Sequence, residues 1–113
     1  MDPTYSAYMA NSFGEQLKAL REAGGMTQAE LAIKVGKSEP YVSNLETGHR
    51  RAPRNGIQLW ADALGLHGRI RIRFIELAMA THLPAEYQPV YLATLKRLDR
   101  LEAQAMNQLR TDG

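Results

Sequence analysis

The sequence predicts an all-α fold. Apolar residues recur at spacings of three and four along most of the 113 residues. The first three segments that carry this rhythm open on serine or threonine and close on glycine, the residues that start and stop helices. The one stretch that alternates as a strand would, "RIRIRF" at 69–74, loses its alternation immediately afterwards in Ile75, Leu77, Ala78 and Met79.

Residues 1–12 read as an N-terminal arm, with Tyr5, Tyr8 and Met9 available to pack on the body or meet a partner. Ser12 and Glu15 have the spacing of a capping box, and Phe13, Leu17 and Leu20 follow at helical spacing until Gly24-Gly25. Thr27 and Glu30 repeat the box. Leu31, Ala32 and Val35 form the apolar side of a second helix, which stops at Gly36. Ser38 is the natural N-cap of a third helix that ends before Gly48. Asn55 is expected to cap a fourth, in which Ile57, Trp60, Ala61 and Leu64 fall on one face before Gly65. A helix is expected over 69–82, a strand being the alternative for 69–74. "HLPAEYQP", 82–89, reads as a turn because Pro84 and Pro89 both disfavour a helix interior. From Pro89 to about Arg110 runs the longest helical pattern, roughly 33 Å of it at 1.5 Å per residue. Trp60 and Met79 read as core.

Composition limits the function classes. The chain is 44% hydrophobic and 23% charged, which suits an ordered globular protein. It has no cysteine, so disulfides and thiolate metal sites are excluded. That is compatible with a cytoplasmic location. "MDPTYSAYMANSF" has neither the basic nor the apolar region of a signal peptide, and no run approaches the ~18 apolar residues of a membrane span. The three histidines, His49, His67 and His82, share no metal-ligand spacing, and no phosphate-binding glycine loop or nucleophile–base set is visible. No metal, cofactor or enzymatic activity is therefore expected. Net charge is +2, all of it in residues 65–113, because residues 1–64 hold seven basic and seven acidic side chains. Attraction for a polyanion must come from local clustering.

That clustering adjoins the third helix, within "SEPYVSNLETG", residues 38–48. On a helical wheel Val42 and Leu45 define its inner face. Pro40, Ser43, Asn44 and Thr47 point away, with Glu39 and Tyr41 on the flanks. Asparagine can pair with adenine, glutamate can accept from the cytosine amino group, and serine or threonine serves either. A plain solvent-facing surface fits the helix taken alone. Its neighbours favour more: a short helix precedes it, separated by "GKS", which is the helix-turn-helix arrangement. In that arrangement the second helix enters the major groove and the first crosses the backbone. Directly afterwards comes "HRRAPR", with His49, Arg50, Arg51 and Arg54 placed to meet phosphates.

Residues 13–66, "FGEQLKALREAGGMTQAELAIKVGKSEPYVSNLETGHRRAPRNGIQLWADALGL", resemble the helix-turn-helix domain of the lambda/434 repressor and Cro (Xre) family. "TQAELA", "VG", Ser38, "LETG" and "WADALGL" stand in that family's order and spacing. The resemblance implies a five-helix-type helix-turn-helix domain with additional C-terminal helices. It implies that Gln28 contacts a phosphate and supports the recognition helix, that Ser38, Glu39, Pro40 and Asn44 reach bases or nearby backbone, and that Arg51 and Arg54 form the basic loop. It also implies an ion pair between Arg21 and Glu46. Three positions depart from the family's habit. Pro40 offers only an apolar surface, suited to a thymine methyl. Glu39 is favourable only opposite cytosine. Lys37 stands where an apolar residue is common.

The resemblance stops near residue 66, leaving 67–113 as a C-terminal helical region expected to dimerise the chain. Leu95, Leu98, Leu101, Ala105 and Leu109 are the expected seam, the alternative being that they pack on their own chain. A solvated face is expected for Arg69, Arg71 and Arg73, contact with phosphates being the alternative. The expected function is a sequence-specific transcriptional regulator, a repressor, binding double-stranded DNA as a homodimer. The alternative is a protein-interaction module, or an antitoxin-like protein, that holds a protein partner through the third helix or the C-terminal helices.

Overall fold

The computed structural model describes residues 12–112, with side chains as far as Leu109; Tyr5, Tyr8 and Met9 lie outside the described residues. It is all-helical, with six helices and no strand among the described residues. They are α1 (Phe13–Ala23), α2 (Gln28–Val35), α3 (Glu39–Thr47), α4 (Ile57–Ala63), α5 (Gly68–Ala80) and α6 (Gln88–Asp112). The described residues form two compact units, divided between His82 and Leu83.

In the first unit the helix starts are set by side-chain oxygens. The Ser12 hydroxyl accepts from Glu15 N at 3.2 Å. The Thr27 box is complete: Thr27 Oγ1 accepts from Glu30 N at 3.1 Å, and Glu30 Oε1 accepts from Thr27 N at 3.0 Å. Ser38 Oγ accepts from Tyr41 N at 3.2 Å, and Pro40 sits in the first turn, where its missing N–H is not needed. The expected cap of α4 is corrected. Gly56, not Asn55, is the N-cap, with φ of 81° and no side-chain cap bond. That left-handed backbone is open to glycine at no steric cost.

α1 packs on α3 and α5, α2 on α3 and α4, and α4 on α5. Phe13, Leu17, Leu31, Val42, Leu45, Trp60, Phe74 and Leu77 make the core. The Phe13 and Phe74 rings sit 5.1 Å apart and tilted by 41°. Gly14 lets α1 close on the end of α3: a Cβ there would stand 2.6 Å from Glu46 O and 2.7 Å from Leu45 O.

The "RIRIRF" stretch is helical throughout, within α5. Two expectations for this helix are corrected. Met79 is exposed rather than core. Arg71 and Arg73 are not a solvated face: Arg73 is buried, with Nη1 3.6 Å from Glu76, and Arg71 bonds Asp62, Gln58 and Leu66 O. A strand-like alternation of arginines wraps round a helix, so only some of them reach water.

The second unit opens with the turn at Pro84, where Tyr87 N donates to Pro84 O, and continues as the 25-residue α6. Leu98, Leu101, Met106 and Leu109 on it are exposed. No helix among the described residues is long and apolar enough to cross a membrane.

Candidate nucleic-acid interface

α2 and α3 are joined by Gly36, Lys37 and Ser38, with Gly36 left-handed at φ 70°. α3 is held from behind by Val42 and Leu45, which have 0% and 1% of their surface exposed. Its front is wet. Glu39, Pro40 and Asn44 are exposed, and the side chains of Glu39 and Asn44 have no hydrogen bond or ion pair among the described residues. Ser43 is half-buried, and the Ser38 hydroxyl is committed as an acceptor to the cap, leaving its proton to donate.

The rear end of α3 is fixed by Glu46. Its Oε2 accepts from Arg21 Nε at 2.6 Å, and its Oε1 accepts from Arg21 Nη2 and Gln28 Nε2, each at 3.0 Å. Arg21 Nη1 also donates to Met26 O at 2.8 Å. Arg21 is only 8% exposed, and its hydrogen bond to the Glu46 carboxylate holds its pKa above the ordinary arginine value. One carboxylate thereby ties α1, the start of α2 and the end of α3 together. The Gln28 amide nitrogen, which the family resemblance sends to a phosphate, bonds Glu46 here.

The tyrosine of α3 forms an aromatic–cation stack. Tyr41 is half-buried and stacks on Trp60 of α4, with ring centroids 6.0 Å apart. The Arg50 guanidinium lies 4.4 Å and Lys37 Nζ 5.1 Å from the Tyr41 ring centroid. Each cation is attracted to the ring's electron-rich face. Tyr41 is therefore a half-buried platform for cations, backed by Trp60.

The loop that follows carries the other basic groups. Arg50 N donates to Asn44 O at 3.1 Å, and Thr47 Oγ1 meets His49 Nδ1 at 2.7 Å. Arg51 and Arg54 are exposed, and neither pairs with a carboxylate among the described residues. Between them Ala52 is buried, and both of its peptide groups bond the end of α5.

Sequence reasoning singled out the front of α3 and the arginines of the loop. It missed Lys37 as a member of the Tyr41 cluster, Trp60 as the support of that ring, and Thr81 and His82 as holders of the loop. The signal for Lys37 was its departure from an apolar habit; Trp60, Thr81 and His82 gave no signal beyond helical spacing. Of the residues expected to dimerise the chain, Leu98, Leu101, Ala105 and Leu109 are exposed on α6 and Leu95 is buried. No group of side chains suited to a metal ion occurs among the described residues.

A family model described as a helix-turn-helix domain matches residues 12–71, more than half of the chain. No curated protein and no solved structure matches the chain.

Proposed function

The chain belongs to the helix-turn-helix domain family, of the Xre/Cro-like type, and on that premise we propose that it is a sequence-specific DNA-binding transcriptional repressor. It acts as a homodimer on double-stranded DNA, with Ser38–Thr47 in the major groove. The observation that carries this reading is the exposed front of α3. Glu39 and Asn44 have no partner among the described residues on a helix whose back and ends are rigidly fixed, and the free Arg51 and Arg54 follow it. A groove-reading helix needs that combination: rigid support, unspent donors and acceptors, and cations beside it for phosphates. Ser38, Ser43 and Tyr41 complete the groove face. His49, Arg50, Arg51 and Arg54, with Gln28, face the backbone.

Selection from a random duplex library tests this. Asn44→Ala relaxes preference at one or two positions per half-site, with non-specific affinity nearly unchanged, since a good base contact contributes roughly 1–3 kcal/mol of discrimination. Glu39→Gln raises non-specific affinity and removes a cytosine preference. Identical motifs selected by the wild type and both variants would mean that α3 does not read bases through these side chains.

A second reading is favoured by two observations. Glu39 sets a negative charge on the surface offered to DNA, and α6 exposes Leu98, Leu101 and Leu109. They suit an antitoxin-like protein or interaction module that holds a protein partner. Selection that returns no motif at all favours this reading.

A further inference from the structure

Ala52 lies in the middle of the arginine loop, with Arg51 before it and Arg54 two residues beyond, yet it is only 2% exposed. Its N–H donates to Thr81 Oγ1 at 3.2 Å, and its carbonyl accepts from His82 Nε2 at 2.7 Å. Thr81 Oγ1 donates in turn to Ala78 O at 2.7 Å, so the hydroxyl proton is spent on α5 and a lone pair is left for Ala52. Nε2 faces a carbonyl and therefore carries a proton, which fixes the side of the ring that donates. The two contacts span 29 and 30 residues of sequence.

We propose that Thr81 and His82 are positioning residues for DNA binding: without touching DNA, they clamp both peptide groups of Ala52 and so hold Arg51 and Arg54 towards the phosphates. The proposal rests on the reading of the loop as a DNA-facing element. The physical ground is that a buried peptide group must be paired. Residues 51–56 lie outside any helix, so the loop has no helical ladder to supply these partners. Its arginines are long side chains that lose affinity when the backbone carrying them wanders, because ordering it must then be done at binding. Thr81 and His82 do that ordering beforehand, from the C-terminal end of α5.

The test uses the full chain, a labelled duplex and fluorescence anisotropy over a salt series. Four variants are compared: Thr81→Val and His82→Leu, which remove the partners, and Thr81→Ser and His82→Gln, which keep an acceptor and an N–H donor. Arg51→Ala is the reference for a lost phosphate contact. The expected result is that Thr81→Val and His82→Leu each weaken binding about three- to tenfold and flatten the salt dependence towards that of Arg51→Ala. Thr81→Ser and His82→Gln stay near the wild type. Hydrogen exchange at the Ala52 amide, measured on the same proteins, reports the clamp directly and speeds up in Thr81→Val.

Circular dichroism separates loss of the clamp from loss of the fold, and the Ser and Gln variants keep the comparison open if a truncating variant unfolds. Faster exchange at Ala52 with unchanged affinity and salt slope, in a protein that Arg51→Ala does weaken, overturns the positioning role while leaving the DNA reading intact. A wild type that fails to bind any duplex, with Ala52 still protected, overturns the DNA reading and this proposal with it.

Discussion

Arg21 closes on Glu46 with two donors, Nε to Oε2 at 2.6 Å and Nη2 to Oε1 at 3.0 Å, joining α1 to α3 across 25 residues of sequence. The side chains are 10% and 3% exposed, so the pair is desolvated and solvent screening is weak. Removing one partner strands the other, a loss of about 3–5 kcal/mol for buried pairs. Glu46→Ala is therefore expected to lower the urea midpoint far more than a surface change, and to loosen Gln28 as well. The double variant Arg21→Met, Glu46→Leu is expected to recover most of that loss, because no buried charge remains. Additive losses in the double variant would show that the two side chains act separately.

The same helix contact fixes a second expectation. At Gly14 a methyl group would stand 2.6–2.7 Å from two backbone carbonyls of α3. Backbone at a helix end cannot move aside cheaply, so Gly14→Ala forces α1 and α3 apart. Overpacking of this kind costs typically about 1–3 kcal/mol, which exceeds the helix-propensity gain of alanine over glycine, at most about 1 kcal/mol. Gly24→Ala is the control, since its nearest atom is the Met26 Cε at 3.4 Å, the far end of a flexible side chain. Denaturant melts that rank Gly14→Ala at or above the wild type would refute the close approach.

Acid dependence offers a third. The backbone N–H of Thr27, and then its hydroxyl, hold the Glu30 carboxyl below the ordinary glutamate range. A lowered folded pKa means that the contribution is present in full above the unfolded value. It is lost as pH falls through the folded one. Glu30→Gln removes the titration and keeps an acceptor. The stability gap between wild type and variant, measured by thermal melts, is expected to be constant above about pH 5.5 and to shrink steadily below pH 4.5. A gap that widens on acidification would reverse the sign and exclude the capping box as its source.

The parts of this fold that were legible in the sequence are local. Ser12, Thr27 and Ser38 each cap the helix they precede, because an N-cap acts on a backbone N–H three residues away and leaves its mark in spacing. Asn55 failed because the position it precedes uses a left-handed glycine, a choice made by the path of the loop and not by a side chain. Met79 failed because the apolar residues of α5 surround the helix, leaving several equally good inner faces in the sequence. Glu46 was legible from the wheel and from the family's spacing together. The Tyr41–Trp60 stack and the Ala52 clamp were not legible, since contacts across 19 to 30 residues leave no periodic trace.

The fourth expectation concerns assembly. Leu98, Leu101, Ala105 and Leu109 step by three, four and four residues, which places them on one face of α6. The three leucines there are 47%, 54% and 70% exposed. Such a stripe, with a small residue at Ala105 where two helices can approach, suits a two-fold contact between copies, in which the same face meets itself. Each leucine withdrawn from water contributes about 1.5–3 kcal/mol, and a symmetric contact counts every one twice. Leu98→Glu with Leu101→Glu is therefore expected to raise the dimer dissociation constant by at least about a hundredfold in equilibrium sedimentation. Glutamate is a good helix former, so α6 itself is retained. If these side chains hold the dimer, binding to a two-half-site duplex also weakens steeply, while binding to a single half-site stays unchanged. A variant that remains dimeric, or one that loses half-site binding equally, would move the interface away from this face of α6.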